Sequence, residues 1–159
     1  MTTCLDEAFK FTVGEEGGYQ CDPSDPGNWT GGDIGKGECR GTKYGVSARA
    51  YPMLIIKDIT VEDAKLVFRQ DYWLPAGCDK LSYPLCLVVA DNAYHSGVGA
   101  ALQNLRQYPD WRDLIIERIE DMVDIVDRRP TSLKYLKGWV KRCVALYRLA
   151  SGNEHPINT

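Results

Sequence analysis

The stretch LDEAFKFTVGEEGGY, residues 5–19, decides how this chain begins to fold. Its apolar side chains Leu5, Ala8, Phe9 and Val13 recur at helical spacing, so at about 100° per residue they share one stripe of an amphipathic helix. Glu16 projects onto the middle of that stripe, whereas Glu15 stands about 100° away. Gly17 and Gly18 follow, and glycine is cheap in left-handed backbone and costly inside a helix. The stretch therefore reads as a helix that carries a carboxylate to the exit of its buried face and then stops. A glutamate partly removed from water, beside bare backbone, suits a general acid with a raised pKa that meets a bulky ligand. An exposed last-turn glutamate followed by a glycine cap meets the same pattern, since perturbed carboxylates also serve structural roles.

With 159 residues, 44% hydrophobic and 26% charged, the chain is long enough for one real core and cramped for two domains. No apolar run approaches the ~18 residues of a membrane span, and the longest, residues 85–90, suits a buried helix. Residues 1–7 (MTTCLDE) lack the basic-then-apolar layout of a signal peptide, which implies synthesis in the cytoplasm without export by that route. A net charge of −3 gives no global attraction to nucleic acid. The charges are segregated, however. Residues 112–127 hold two arginines against six acids, and residues 128–148 hold seven bases and no acid. Two neighbouring helices that attract each other explain this ahead of a basic patch for an anionic partner. The cysteines at 4, 21, 39, 78, 86 and 143 form no CxxC pair, and neither His95 nor His155 stands at ligand spacing from one, so no metal is expected. Mostly free, largely buried thiols are the expectation for a chain of this length.

The remaining periodicity is overwhelmingly helical. Residues 17–44 are rich in Gly, Asp, Pro and Thr and too poor in apolar residues for a packed helix, and so long an irregular stretch is usually functional or folded into short strands. Thr60-Val-Glu-Asp63 reads as a capping box that opens a helix running to about Trp73. Ser82-Tyr-Pro84 precedes a helix apolar on nearly every side, which Gly97 caps. A shorter helix follows over residues 98–107 and breaks at Pro109-Asp110. Trp111, Leu114, Ile115, Ile119, Met122 and Val126 make the stripe of another helix, ending near Pro130. Ser132 then caps a last helix through Leu136, Val140, Cys143 and Tyr147. The fold class is mostly α: one domain over residues 1–159, with a small irregular or β lobe near the N-terminus.

Asp25 follows Glu16 by nine residues, and Thr42-Lys-Tyr-Gly-Val46 lies beyond it. One carboxylic acid to protonate a leaving oxygen, with a second carboxylate and a hydroxyl to hold water, is the equipment for hydrolysing a glycosidic bond. The string EGGYxxDPxDPG…TKYGV is specific, and through it the chain resembles glycoside hydrolase family 108, the N-acetylmuramidases of phage endolysins and related bacterial cell-wall enzymes. The resemblance also takes in residues 64–73 (AKLVFRQDYW) and 91–97 (DNAYHSG). Residues 138–142 (GWVKR) are similar to the GWxxR signature of the C-terminal peptidoglycan-binding segment that accompanies the family. It implies a lysozyme-like fold with a catalytic motif region over residues 1–100, a cleft loop over 17–46 and a helical C-terminal segment over 101–155. It also implies cleavage of the β-1,4 bond after N-acetylmuramic acid in peptidoglycan, with no cofactor.

Only Glu16 matches the family's catalytic acid, and Asp25 takes the second carboxylate role by looser analogy with phage-type lysozymes. The hydroxyl partner is Thr30 when counted from Glu16 and Thr42 when matched through the following Gly-Val. Thr42 is preferred, because residues 44–46 read as the strand supporting the cleft. Tyr19, Trp29 and Tyr44 offer stacking surfaces for sugar faces, while Trp73, Trp111 and Trp139 sit at helical positions typical of core. Asn92 and Ser96, near the end of the buried helix, complete the candidate substrate-binding set. Asp22, Asp25 and Asp33 lack the alternation of a calcium loop and are assigned to turn chemistry. Cys21 and Cys39 flank the cleft loop and can pair only if their Cα atoms approach within ~7 Å, which the sequence does not establish. A lytic transglycosylase using the same glutamate, and a non-catalytic peptidoglycan binder, are the competing readings. The expected partner is the glycan strand alone, met by a monomer that inserts in no membrane and reaches the wall once a holin opens the way.

Overall fold

The structure is a computed structural model that describes residues 3–14 and 17–152. Among the described residues it holds six α-helices and one two-stranded antiparallel sheet, a mostly α fold with a small lobe near the N-terminus. Contacts divide the chain into two units, Phe9–Asp71 on one hand and Met1–Ala8 with Tyr72–Thr159 on the other.

Helix α1 (Cys4–Thr12) opens on a capping box: the Asp6 N–H donates to Thr3 Oγ1 at 3.2 Å, and the Thr3 N–H donates to the Asp6 carboxylate at 2.9 Å. Ala8 and Phe9 are buried, as the stripe requires. The end of α1 corrects the sequence reading. Gly14 takes φ +77° and turns the backbone out of the helix, so the stop signal is Gly14 and not Gly17-Gly18. The α1 stripe therefore ends with the helix at Thr12. Glu15 and Glu16 lie outside the described residues.

In the unit Phe9–Asp71 the buried apolar side chains are Phe9, Val46, Ala48, Ile56, Ile59, Ala64 and Phe68, with Phe9 and Phe68 meeting edge to face at 5.8 Å. Helix α2 (Val61–Phe68) starts on the expected capping box, with Thr60 Oγ1 accepting from the Asp63 N–H at 3.1 Å and Asp63 accepting from the Thr60 N–H at 2.8 Å. It continues as a single π turn, Arg69–Trp73, which reaches the end expected from sequence. Tyr51 donates its hydroxyl proton to the Asp71 carboxylate.

The other unit is built on α3 (Leu85–Ser96), buried at every position from Cys86 to Ala93. Gly97 at φ +87° separates it from α4 (Val98–Gln107), and Asp110 caps α5 (Trp111–Arg128) by accepting from the Arg112 N–H at 2.8 Å. Helices α5 and α6 (Leu133–Ala150) pack along each other, and Trp111 meets Tyr147 with ring centroids 5.3 Å apart. Ser132 stands at the start of α6 but makes no capping hydrogen bond. The turn Pro130–Ser132 delivers it already in helical backbone, where its hydroxyl does not face the free N–H groups. Trp73 and Trp111 are core residues, as their positions imply.

Four cysteines are free thiols, but Cys4 and Cys86 are joined by a disulfide across a sequence separation of 82. It links the start of α1 to the start of α3. Nothing in the local spacing of either cysteine announces it.

Candidate active site

The N-terminal lobe is organised by a hairpin. Strands β1 (Thr42–Lys43) and β2 (Val46–Ser47) pair with Thr42 opposite Ser47 and Lys43 opposite Val46, which leaves Tyr44-Gly45 as a two-residue turn. Both turn residues have positive φ, +49° at Tyr44 and +75° at Gly45, the conformation that matches the twist of paired strands. Glycine adopts it freely; tyrosine does so at a cost of order 1–2 kcal/mol. Residues 44–45 thus form the turn rather than the strand that the sequence reading gave them. On the other side of β1, Gln20 and Thr42 exchange backbone hydrogen bonds of 2.9 and 2.8 Å, and the Tyr44 N–H donates to the Gly17 carbonyl at 2.9 Å. The backbone just after Glu16 is therefore anchored to the hairpin.

Asn28 is the hub of the lobe. It is completely buried at the end of the turn Pro26–Asn28. Its Oδ1 accepts from Thr42 Oγ1 at 2.7 Å and from Gln20 Nε2 at 3.1 Å. Its Nδ2 donates to Gln20 Oε1 at 2.9 Å and to the Asp22 carbonyl at 3.0 Å. Its backbone carbonyl accepts from the N–H groups of Arg40 and Gly41. A buried amide that unites the segment after Glu16, the Asp25 turn and Thr42 is worth ~1–3 kcal/mol for each partner that its loss would strand. The sequence reading missed Asn28, although its place directly after Asp25-Pro-Gly was visible.

The individual site residues are disposed as follows. Asp25 is exposed and caps the turn, its Oδ1 accepting from the Gly27 N–H at 2.8 Å. Asp22 accepts from the N–H and hydroxyl of Ser24, both at 2.8 Å, and these bonds hold its carboxyl below the usual range. Asp33 pairs with Lys36 at 2.8 Å. Trp29 donates its indole N–H to the Pro23 carbonyl at 2.9 Å. Tyr19 is exposed, and its hydrogen bond with the Cys21 side chain raises the phenol pKa. Lys43 Nζ lies 5.3 Å from the Tyr44 ring centroid while donating to the carbonyls of Lys57 and Ile59. Thr30 accepts the Glu38 N–H at 2.9 Å and so closes the neck of its own loop, whereas Thr42 faces the Asn28 hub. Asp25, Trp29, Thr42 and Tyr44 share the unit Phe9–Asp71, while Asn92 and Ser96 belong to α3 in the other unit.

That second unit carries a charge cluster that sequence reasoning did not assign. Asp91 is completely buried on α3, and its carboxylate meets Arg118 of α5 at 2.7 Å and Arg142 of α6 at 2.5 Å. His95, one turn on, places Nε2 3.7 Å from Asp91. Burial alone pushes the Asp91 carboxyl up, but the two guanidinium groups and His95 prevail and hold it low. Burial, helped by Arg142 and Arg118 against the pull of Asp91, lowers His95 to about 4, so it is neutral at pH 7. Next to the cluster lies a cavity of about 520 Å³ lined by Ser96, Met122, Ile125 and Trp139 among others. Asn92 is buried, with neither side-chain atom hydrogen-bonded among the described residues. An aspartate directly after the apolar run of residues 85–90 was the available signal for this cluster.

Residues 9–97 match the family model of glycosyl hydrolase 108, more than half of the chain. The chain belongs to that family. No curated protein and no solved structure matches it. As a family 108 member the chain is a glycoside hydrolase. The matched region contains Glu16, the whole hairpin lobe and α3 with Asp91. Residues 138–142, which resemble the family's accompanying segment, lie beyond it.

Proposed function

We propose that this family 108 hydrolase is an endolysin-type muramidase that cuts the β-1,4 bond between N-acetylmuramic acid and N-acetylglucosamine in peptidoglycan. The observation that carries the reading is the family match over residues 9–97, which contains EGGY directly ahead of the lobe bearing Asp25 and Thr42. In this reading Glu16 protonates the departing glycosidic oxygen while positive charge builds on the sugar ring. Asp25 uses one oxygen to cap its turn and keeps lone pairs free to accept a proton from water. The Thr42 hydroxyl proton is committed to Asn28, so its oxygen is available to the same water as an acceptor. Two acceptors hold a water by its protons and aim its lone pair at the anomeric carbon. Tyr19, Trp29 and Tyr44 supply ring surfaces to the glycan, whereas Asn92, expected from sequence to bind substrate, is buried within α3 and offers it no polar contact.

No helix among the described residues is long and apolar enough to cross a membrane. We propose access to the wall through a lesion made by a holin-type protein. Expressing cells are expected to stay intact until chloroform opens the membrane and then to clear. Sacculi digested with the purified chain should release muropeptides with a reducing muramic end that borohydride reduces. Products lighter by one water, lacking that end, would make the enzyme a lytic transglycosylase instead. Binding to sacculi without any release would leave only a binding protein.

Tyr44 allows its substrate role to be separated from its backbone role. Tyr44→Asn installs Asn-Gly, the preferred pair for this turn, so stability should stay within ~1 kcal/mol of the parent. Loss of the stacking ring should raise KM for the glycan roughly 10-fold, in line with ~1–1.5 kcal/mol for an aromatic contact. Unchanged kinetics would remove Tyr44 from the substrate surface.

A further inference from the structure

We propose that Cys21 and Cys39 are an oxidative modification site: a glutathione-type disulfide joins them into a second disulfide that closes residues 21–39 into a ring. Their sulfur atoms already stand 3.0 Å apart, about 1 Å more than a disulfide bond requires. Flanking backbone pairs hold them there. Gln20 bridges Thr42 on one side and Trp29 bridges Cys39 on the other, so neither cysteine depends on a flexible terminus for its position. Both are half-buried and open to a small oxidant, whereas Cys78 and Cys143 are fully buried.

The chemistry balances as ordinary thiol–disulfide exchange. The Cys21 thiolate attacks one sulfur of oxidised glutathione and expels one glutathione thiolate, giving a mixed disulfide. Cys39, as its thiolate, then attacks the Cys21 sulfur and expels the second. The two thiol protons end on the two glutathione molecules, which take up the two electrons the protein loses. Hydrogen bonding to Cys21, with some burial, pushes the Cys39 thiol up to about 11, which disfavours Cys39 as the first attacker. The resulting ring encloses Asp25, Trp29, Thr30 and the buried Asn28, so oxidation would stiffen the loop that carries the candidate second carboxylate. The pairing does not depend on which bond the enzyme cleaves.

The full chain is incubated with oxidised glutathione, its remaining thiols are blocked with iodoacetamide, and it is digested with trypsin without reduction. Cys21 falls in tryptic peptide 11–36 and Cys39 in peptide 37–40. The expected result is a linked pair of these two peptides, lighter than their sum by two hydrogens and absent from C21S and C39S. The linked form should melt roughly 6–12 °C above the C21S/C39S double variant, as expected for closing a ring of this length in a chain of this size. Recovery of both peptides separately, alkylated or carrying glutathione, while the peptides of Cys4 and Cys86 remain joined, would overturn the proposal. So would a linked form that melts with the double variant.

Discussion

Replacing Glu16 with Gln is expected to slow the clearing of chloroform-permeabilised cells at least ~10²-fold while leaving the thermal melt unchanged. Glutamine keeps the size and hydrogen-bonding reach of the side chain but has no proton to give the departing oxygen. A hydrolase that relies on protonating a sugar alkoxide loses most of its rate when that proton is gone, because the leaving group must then depart as a strong base. The neighbouring frame makes the comparison clean. Gly17 is tied to Tyr44 and Gln20 to Thr42 through the backbone, contacts that the substitution does not touch. Asp25→Asn should cost less, since Thr42 still accepts a hydrogen bond from the water. Glu15→Gln should cost little. An E16Q protein clearing cells within a few-fold of the parent rate would remove Glu16 from the acid role.

The second large effect concerns stability. Asp91→Ala is expected to lower the free energy of unfolding by ~3–5 kcal/mol in urea titrations. Arg118 has only 3% of its side chain exposed and faces Asp91 at 2.7 Å, so removing the carboxylate leaves a guanidinium buried beside apolar helices. Arg142, at 29% exposure, has more freedom to turn toward water. The double variant Asp91→Leu with Arg118→Met should recover much of the loss, because it removes the stranded charge together with its partner. A single variant within 1 kcal/mol of the parent would mean that the cluster does not hold the helices together. Acid should probe the same cluster. Asp91 titrates low in the folded chain, so its contribution is present above the ordinary aspartate pKa and fades as pH falls through the folded value. His95 titrates at about 4 when folded and near 6.5 when unfolded, so the unfolded chain takes up its proton first and stability falls between those values as pH drops.

What the sequence made legible was local. The Thr60–Asp63 capping box, the bounds of α4 and the break at Pro109-Asp110 all lie within one turn of the residues that cause them, and each stands where the pattern put it. The buried α3 followed from an apolar run too complete for a surface helix. The failures have other causes. Gly14 ended α1 because a nearer glycine outcompeted the Gly17-Gly18 pair for the stop. Ser132 gave up its cap because a turn upstream had already set its backbone. The Asn28 hub, the pairing of Asp91 with Arg118 and Arg142, and the Cys4–Cys86 bond join residues between 6 and 82 positions apart, and contacts at those separations leave no periodic trace. Of the candidate site, the sequence placed Asp25 and Thr42 in one irregular segment after the first helix, and the structure puts both in the unit Phe9–Asp71. The hydrogen bonds that divide Thr42 from Thr30 were not legible.

The loop between Thr30 and Glu38 has one more consequence. Its two ends are locked by a pair of hydrogen bonds, Thr30 N–H to the Glu38 carbonyl and Glu38 N–H to Thr30 Oγ1, both at 2.9 Å. The residues beyond that lock, 31–37, are mostly exposed, and the Asn28 hub takes none of its partners from them. Such a closed neck insulates what it holds, since lengthening a loop whose ends are already fixed costs only slowly growing chain entropy. Residues 31–37 are thus a splice point: a graft that keeps Thr30 and Glu38 can carry a new recognition peptide on the same lobe as Asp25 and Thr42 without disturbing the frame that positions them.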